Sequence, residues 1–156
     1  MTLNIRAASA DDAPSVGKLA RQFADYLRSL GDTSDFKMNA QTYLRDGFGT
    51  NPAFSGLVAE QGDDIVGYLL YHFGYDTDNA ARILHVVDLY VNERGRRQGV
   101  GKALMSAAAK LSRDAGAMEL FWSLYVHNKL AASFYESLGA RYTKDLLFMT
   151  IRTDAL

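Results

Sequence analysis

The residues with the clearest chemical potential are consecutive: Arg96-Arg97-Gln98-Gly99-Val100-Gly101. They follow an apolar run from Arg82 to Val91 that reads as a strand. After them Val100, Leu104, Ala107, Ala108 and Leu111 recur at helical spacing. A helix start leaves backbone N–H groups unpaired and carries partial positive charge. Glycines at 99 and 101 let an anion approach those donors, and Arg96 and Arg97 add cationic ones. This is chemistry for a phosphate or diphosphate. The run has neither the three-glycine spacing of a dinucleotide fingerprint nor the Gly-Lys-Ser/Thr of a P-loop, so it does not name the phosphate ester. A glycine-rich turn with solvated arginines reads the same way in isolation.

Groups able to move a proton near neutrality are few. There are three histidines and no cysteines, which removes disulfides, thiolate metal sites and a cysteine nucleophile together. His85 interrupts the strand before the glycine loop, and His127 immediately precedes Asn128. Imidazole has a suitable pKa for base chemistry, although a lone histidine is as readily structural or solvated. Scattered histidines lack metal-ligand spacing, so no metal site is expected.

The elements that must position these groups are legible from periodicity. Leu3 to Arg6 reads as a first strand. Ser9, Asp11 and Asp12 mark a helix start, and Val16, Leu19, Phe23, Tyr26, Leu27 and Leu30 form its buried face, closed by Gly31. A shorter helix spans about Asn39 to Arg45. Three strands follow, Phe54 to Glu60, Ile65 to Phe73 and Arg82 to Val91, the last apolar enough to be buried on both faces. The loop helix ends at Gly116. Met118 to Tyr125 reads as a strand, Asn128 caps a helix from Lys129 to Leu138, and Leu146 to Ile151 reads as a final strand. The order indicates one mixed α/β domain over residues 1–156.

Composition narrows the partners. The 156 residues are 48% hydrophobic and 22% charged, with net charge -1 and no basic stripe, so nucleic acid is not an expected partner. No apolar run approaches the roughly 20 residues of a membrane span, and no secretory leader is visible, so no membrane association and a cytoplasmic location are expected.

The loop fits the Gln/Arg-x-x-Gly-x-Gly/Ala signature of the GNAT acetyltransferase superfamily. Asp88-Leu89-Tyr90-Val91 resembles that family's preceding strand, and Asn128 with Phe134-Tyr135-Glu136-Ser137-Leu138-Gly139-Ala140 resembles its carboxy-terminal motif. Arg45-Asp46-Gly47-Phe48-Gly49 and Trp122-Ser123 look like the diamine (spermidine/spermine) acetyltransferase branch. The resemblance implies the GNAT fold: a mixed, mostly antiparallel twisted sheet of six to seven strands with flanking helices, whose fourth and fifth strands splay apart. It implies transfer of an acetyl group from acetyl-CoA, a co-substrate, to a primary amine of a small molecule. Acetylation of a peptide or protein amine, or noncatalytic acyl-CoA sensing, are the alternatives. It also implies a homodimer. By resemblance Leu89, Tyr90 and Val91 line the pantetheine arm, and Arg96, Arg97, Gln98, Gly99, Val100, Gly101 and Lys102 hold the diphosphate. Asn128 and Ala131 lie along the coenzyme, and Tyr135 near the sulfur serves as general acid. A plain helix cap is an equally good reading of Asn128.

The amine side departs from that branch. Where the branch has Glu-Asp, this chain has Val87-Asp88, and two further acidic positions are Phe121 and Val126. The candidates for base chemistry are then Asp88, His85 and His127, with Asp88 equally readable as a substrate-binding group or a structural hydrogen-bond partner. Strand alternation puts His85 on the face of Val87, roughly 6–7 Å along the strand, and Asp88 on the opposite face. A polycation needs several carboxylates to replace its hydration, so the losses point to a smaller or less charged amine.

Overall fold

Periodic apolar residues and local caps produce nine regular elements in the computed structural model, which describes residues 2–156. They are β1 (Leu3–Ala7), α1 (Ala13–Ser29), α2 (Ala40–Gly47), β2 (Ser55–Gln61), β3 (Asp64–Asp76), β4 (Ala81–Val91), α3 (Val100–Asp114), β5 (Leu120–Phe121) and α4 (Lys129–Ser137). The strands form one sheet in the order β1-β2-β3-β4-β5, antiparallel except for the parallel β4–β5 pair.

Both faces of the sheet are covered. Val100, Leu104, Met105 and Ala108 of α3 pack on Leu57, Ala59, Val66, Leu69, Leu84 and Val86. On the other face Val16 and Leu19 of α1 and Tyr43 of α2 meet Val58, Tyr68, Leu70 and Tyr90. Burial from both sides explains the largely apolar runs of β3 and β4, broken by His72 in one and by His85 and Asp88 in the other. Near the chain start, Arg6 pairs with Asp12 and Glu60, each at 2.8 Å, tying β1 to the turn before α1 and to β2.

One irregularity organises the site. Leu70 lies opposite Asp88 while Tyr71 lies opposite Val86, so Val87 is an extra residue, a β-bulge in β4. The bulge inverts the alternation beyond it. Leu84 and Val86 face α3, and so do Leu89 and Val91. Asp88, opposite Leu70, therefore joins His85, opposite His72, on the other face. The expected separation of His85 and Asp88 onto opposite faces is thus corrected, because strict alternation fails across an inserted residue.

The same bulge lies just past the last β4–β5 pair. Only Leu84↔Leu120 and His85↔Phe121 are in register, after which the two strands part. The strand expected over Met118 to Tyr125 is correspondingly reduced to Leu120–Phe121. The strand expected over Leu146 to Ile151 does not form, and the sheet has five strands, not six or seven. Two paired residues of β5 leave too little edge for a following strand to join within the same chain. Among the described residues, no helix is long and apolar enough to cross a membrane.

Candidate functional site

The turn from β4 into α3 is built by three constraints. Gly95 has no room for a side chain: a Cβ there would meet Val91 Cγ1 at 2.9 Å and Val66 at 3.2 Å. Arg97 and Gly99 adopt positive φ of 60° and 80°. Gly99 is the N-cap of α3 and makes no side-chain cap, so the first N–H groups of the helix are available to a ligand. The glycine at 101 also answers to packing. A Cβ on it would stand 3.0 Å from Phe134 Cζ, so Gly101 lets α4 pack against α3.

These N–H groups open onto a cavity of about 760 Å³ that runs along β4 to α4. Leu89, Tyr90, Val91, Arg96, Arg97, Gly99, Val100, Gly101, Lys102, Asn128, Ala131 and Tyr135 line it. Gln98 does not. Its side chain bonds Gln61 at 2.9 Å and the carbonyl of Arg94, holding the loop to β2. Arg96 is also turned from the expected role of free phosphate donor. Its Nε donates to the Val91 carbonyl at 3.0 Å, and its guanidinium lies over the rings of Tyr26 and Tyr90. Arg97 is exposed, and with Lys102 it supplies positive charge to the cavity lining.

Asn128 is a helix cap: its Oδ1 accepts from Ala131 N at 3.1 Å and from the Tyr26 hydroxyl at 2.9 Å. That second bond ties α1 to α4 across the cavity. Phe23, Tyr26, Glu93, Gly95, Leu130 and Phe134 complete the wall. The sequence marks Phe23 and Tyr26 only as a helix's buried face, because periodicity does not distinguish core from cavity wall.

The proton-active groups gather where β4 and β5 part. Tyr135 is wedged against Trp122 and Phe134, with ring centroids at 4.7 and 5.1 Å. Burial, reinforced by the charge of Asp88, pushes its phenol up to about 12, so it carries its proton at neutral pH. Burial raises the Asp88 carboxyl to about 7, placing it between its two protonation states near neutrality. Asp88 does not line the cavity itself; it precedes Leu89, which does, on β4.

His85 does not line the cavity either. Its Nδ1 lies 2.9 Å from His72 Nε2, and its ring packs on Phe121 at 5.2 Å. Burial and the neighbouring imidazole lower its pKa. The histidines are therefore less scattered than the sequence implies, since register brings His72 and His85 face to face. His127 is exposed beside Tyr125.

The cavity's dimensions, its unpaired helix N-terminus and its cationic lining residues fit a long, diphosphate-bearing molecule laid along β4. Comparison with known proteins accords with that shape. The family model described as acetyltransferase (GNAT) family matches residues 19–140. The thialysine N-epsilon-acetyltransferase of Sus scrofa is 34% identical over 145 residues, covering 88% of this chain and 83% of that protein. The L-ornithine N5-acetyltransferase of Arabidopsis thaliana is 30% identical over 92 residues, 59% of this chain and 40% of that protein. Among solved structures, an integron cassette protein of V. cholerae superposes with a TM-score of 0.82 at 19% identity, over 99% of this chain and 94% of that one.

Proposed function

Because the chain belongs to the acetyltransferase (GNAT) family and is an acetyl-CoA-dependent N-acetyltransferase, we propose that its acceptor is the side-chain amine of a small amino acid or a comparable monoamine. What carries this reading is the side chains at three positions where the diamine branch has carboxylates: Val87 and Val126 are exposed apolar residues and Phe121 ends the last β4–β5 pair, so none of the three can replace a polycation's hydration. The relatives named for thialysine and ornithine acetylation point the same way.

Each part of the cavity then has a task. The N–H groups at the start of α3, with Arg97 and Lys102, bind the diphosphate. Leu89 to Val91 present backbone and apolar surface to the arm. Acetyl-CoA, when bound, supplies the activated acetyl thioester. Asp88 takes a proton from the acceptor ammonium, freeing the nitrogen lone pair. The amine nitrogen forms the new amide bond as the carbon–sulfur bond breaks, while the Tyr135 hydroxyl donates a hydrogen bond to the leaving sulfur and keeps its own proton. Of the two protons the ammonium loses, one ends on the thiol and the other reaches solvent. His85, whose ring pairs with His72 and packs on Phe121, has no step in this scheme.

The functional unit we assign is a homodimer. Leu146, Leu147, Phe148, Met149 and Ile151 lie in an extended segment without a strand partner, and Leu147 and Met149 are each 94% exposed. Such an apolar run calls for a cover. A second copy offers its own apolar run over 146–151 as that cover, beside Phe148, which packs on Phe121 at 5.7 Å.

The test of the acceptor is a panel read by amine-dependent thiol release. Thialysine, lysine and ornithine are expected to give a higher kcat/KM than spermidine or spermine. A panel led by spermine would overturn the assignment.

A further inference from the structure

On the face of β3 and β4 that α1 covers, one buried polar atom stands without a partner. Tyr68 is fully buried, and its hydroxyl makes no hydrogen bond among the described residues. An interior hydroxyl of that kind is destabilising unless something answers it. Its neighbour is given by register. Tyr68 lies opposite Tyr90 and Leu70 opposite Asp88, so Tyr68 and Asp88 are diagonal on one face. Diagonal Cβ atoms in an antiparallel pair are roughly 7–8 Å apart, within a phenol's reach plus one water. A second unpartnered oxygen, Gln22 Oε1, is buried on α1, the helix that packs over the same strands.

We infer that Tyr68 is a positioning residue for acetyl transfer, holding the Asp88 carboxylate through one buried water so that it accepts the proton of the acceptor amine. The inference rests on Asp88 serving as base in the proposed reaction. In this step one N–H bond of the ammonium breaks and one O–H bond forms on Asp88, the water relaying the proton. The Tyr68 hydroxyl donates to the water and keeps its own proton, since burial and the charge of Asp88 hold its pKa far above neutrality.

Among the described residues, the Asp88 carboxylate takes part in no ion pair. Burial is the only cause of the upward shift at Asp88. Tyr90 and His85 share the face from β4, His72 shares it from β3, and Tyr135 approaches from α4. The cation nearest on β4's exit, Arg96, is turned onto Tyr26 and Tyr90, and Asp25 and Glu93 act on Tyr90.

The test is Tyr68→Phe, which keeps the buried ring and removes only the hydroxyl. Without the donor the carboxylate loses stabilisation, so the Asp88 pKa rises and the acid limb of kcat/KM moves to higher pH by about half a unit or more. Activity falls several-fold at pH 6.5 and recovers near pH 9, with KM for acetyl-CoA unchanged. A merely structural role would depress activity equally at every pH. Asp88→Asn should abolish the limb. In parallel, carbon-13 carboxyl NMR of the ligand-free protein should show the Asp88 midpoint move up in Tyr68→Phe. An unmoved midpoint, or an unmoved limb, overturns the inference. The NMR arm reads out without turnover, so a failure of the amine panel counts against the acceptor assignment alone.

Discussion

Replacing Tyr135 with Phe isolates one oxygen atom. The ring is held between Trp122 and Phe134 at 4.7 and 5.1 Å, contacts that Phe would keep, so folding should be unaffected. The size of the effect follows from the phenol's pKa of about 12. An alkyl thiol titrates near about 8.5, so full proton transfer to a departing thiolate is uphill, and the phenol acts mainly by hydrogen-bonding the developing charge. A hydrogen bond to a charged group is worth about 1.5–3 kcal/mol. At about 1.4 kcal/mol per decade that is a 10- to 150-fold loss of kcat, below the upper range of general acid catalysis. Steady-state thiol release with a saturating amine measures kcat, and calorimetry of acetyl-CoA measures binding, which should change less than about threefold because the oxygen acts only as charge develops. A kcat within about threefold of the parent would refute the role given to Tyr135.

Three further outcomes are expected. Gly99→Ala meets no atom within 4 Å but must hold a φ of +80°, so it should lose about 1 kcal/mol of stability and weaken acetyl-CoA binding several-fold, with Gly99→Asn milder in both thermal melts and calorimetry. Arg6→Met strips the partner from Asp12, whose side chain is 6% exposed; with Arg6 itself 35% exposed the loss should be about 2 kcal/mol, a fall of about 4–8 °C in Tm. Arg6 holds the Asp12 carboxyl below its ordinary value, so this stabilisation is present above the unfolded pKa and lost as pH falls through the folded one; the parent and variant melting curves should converge in acid. Met149→Asp places a charge on a 94% exposed apolar segment and should convert the dimer to monomer in sedimentation equilibrium, whereas a parent that sediments as a monomer rejects the pairing.

How far the sequence carries the argument depends on the range of the interactions involved. The cradle at Gly99 is legible because a strand, a glycine turn and a helix start are contiguous, and the Asn128 cap is set by its own helix. Gly101 reads as a phosphate glycine, but its constraint comes from Phe134, thirty-three positions away, which no local pattern shows. The Val87 bulge leaves no mark in the alternation of β4, so the face of Asp88 could be assigned only from its register against Leu70. Pairing decides the His72–His85 contact and the unmade strand at Leu146 to Ile151 in the same way. Strand propensity names segments able to pair and is silent about whether an edge exists to receive them.

The central claim is that the cavity between β4, α3 and α4 transfers acetyl groups from acetyl-CoA to small amines. The most direct measurement incubates the full chain with acetyl-CoA and thialysine or ornithine, quantifying free thiol and N-acetylated amine in the same sample. One acetylated product for each thiol released, both lost without the amine, is the predicted result. Acetyl-CoA binding with no amine-dependent thiol across the panel would contradict it.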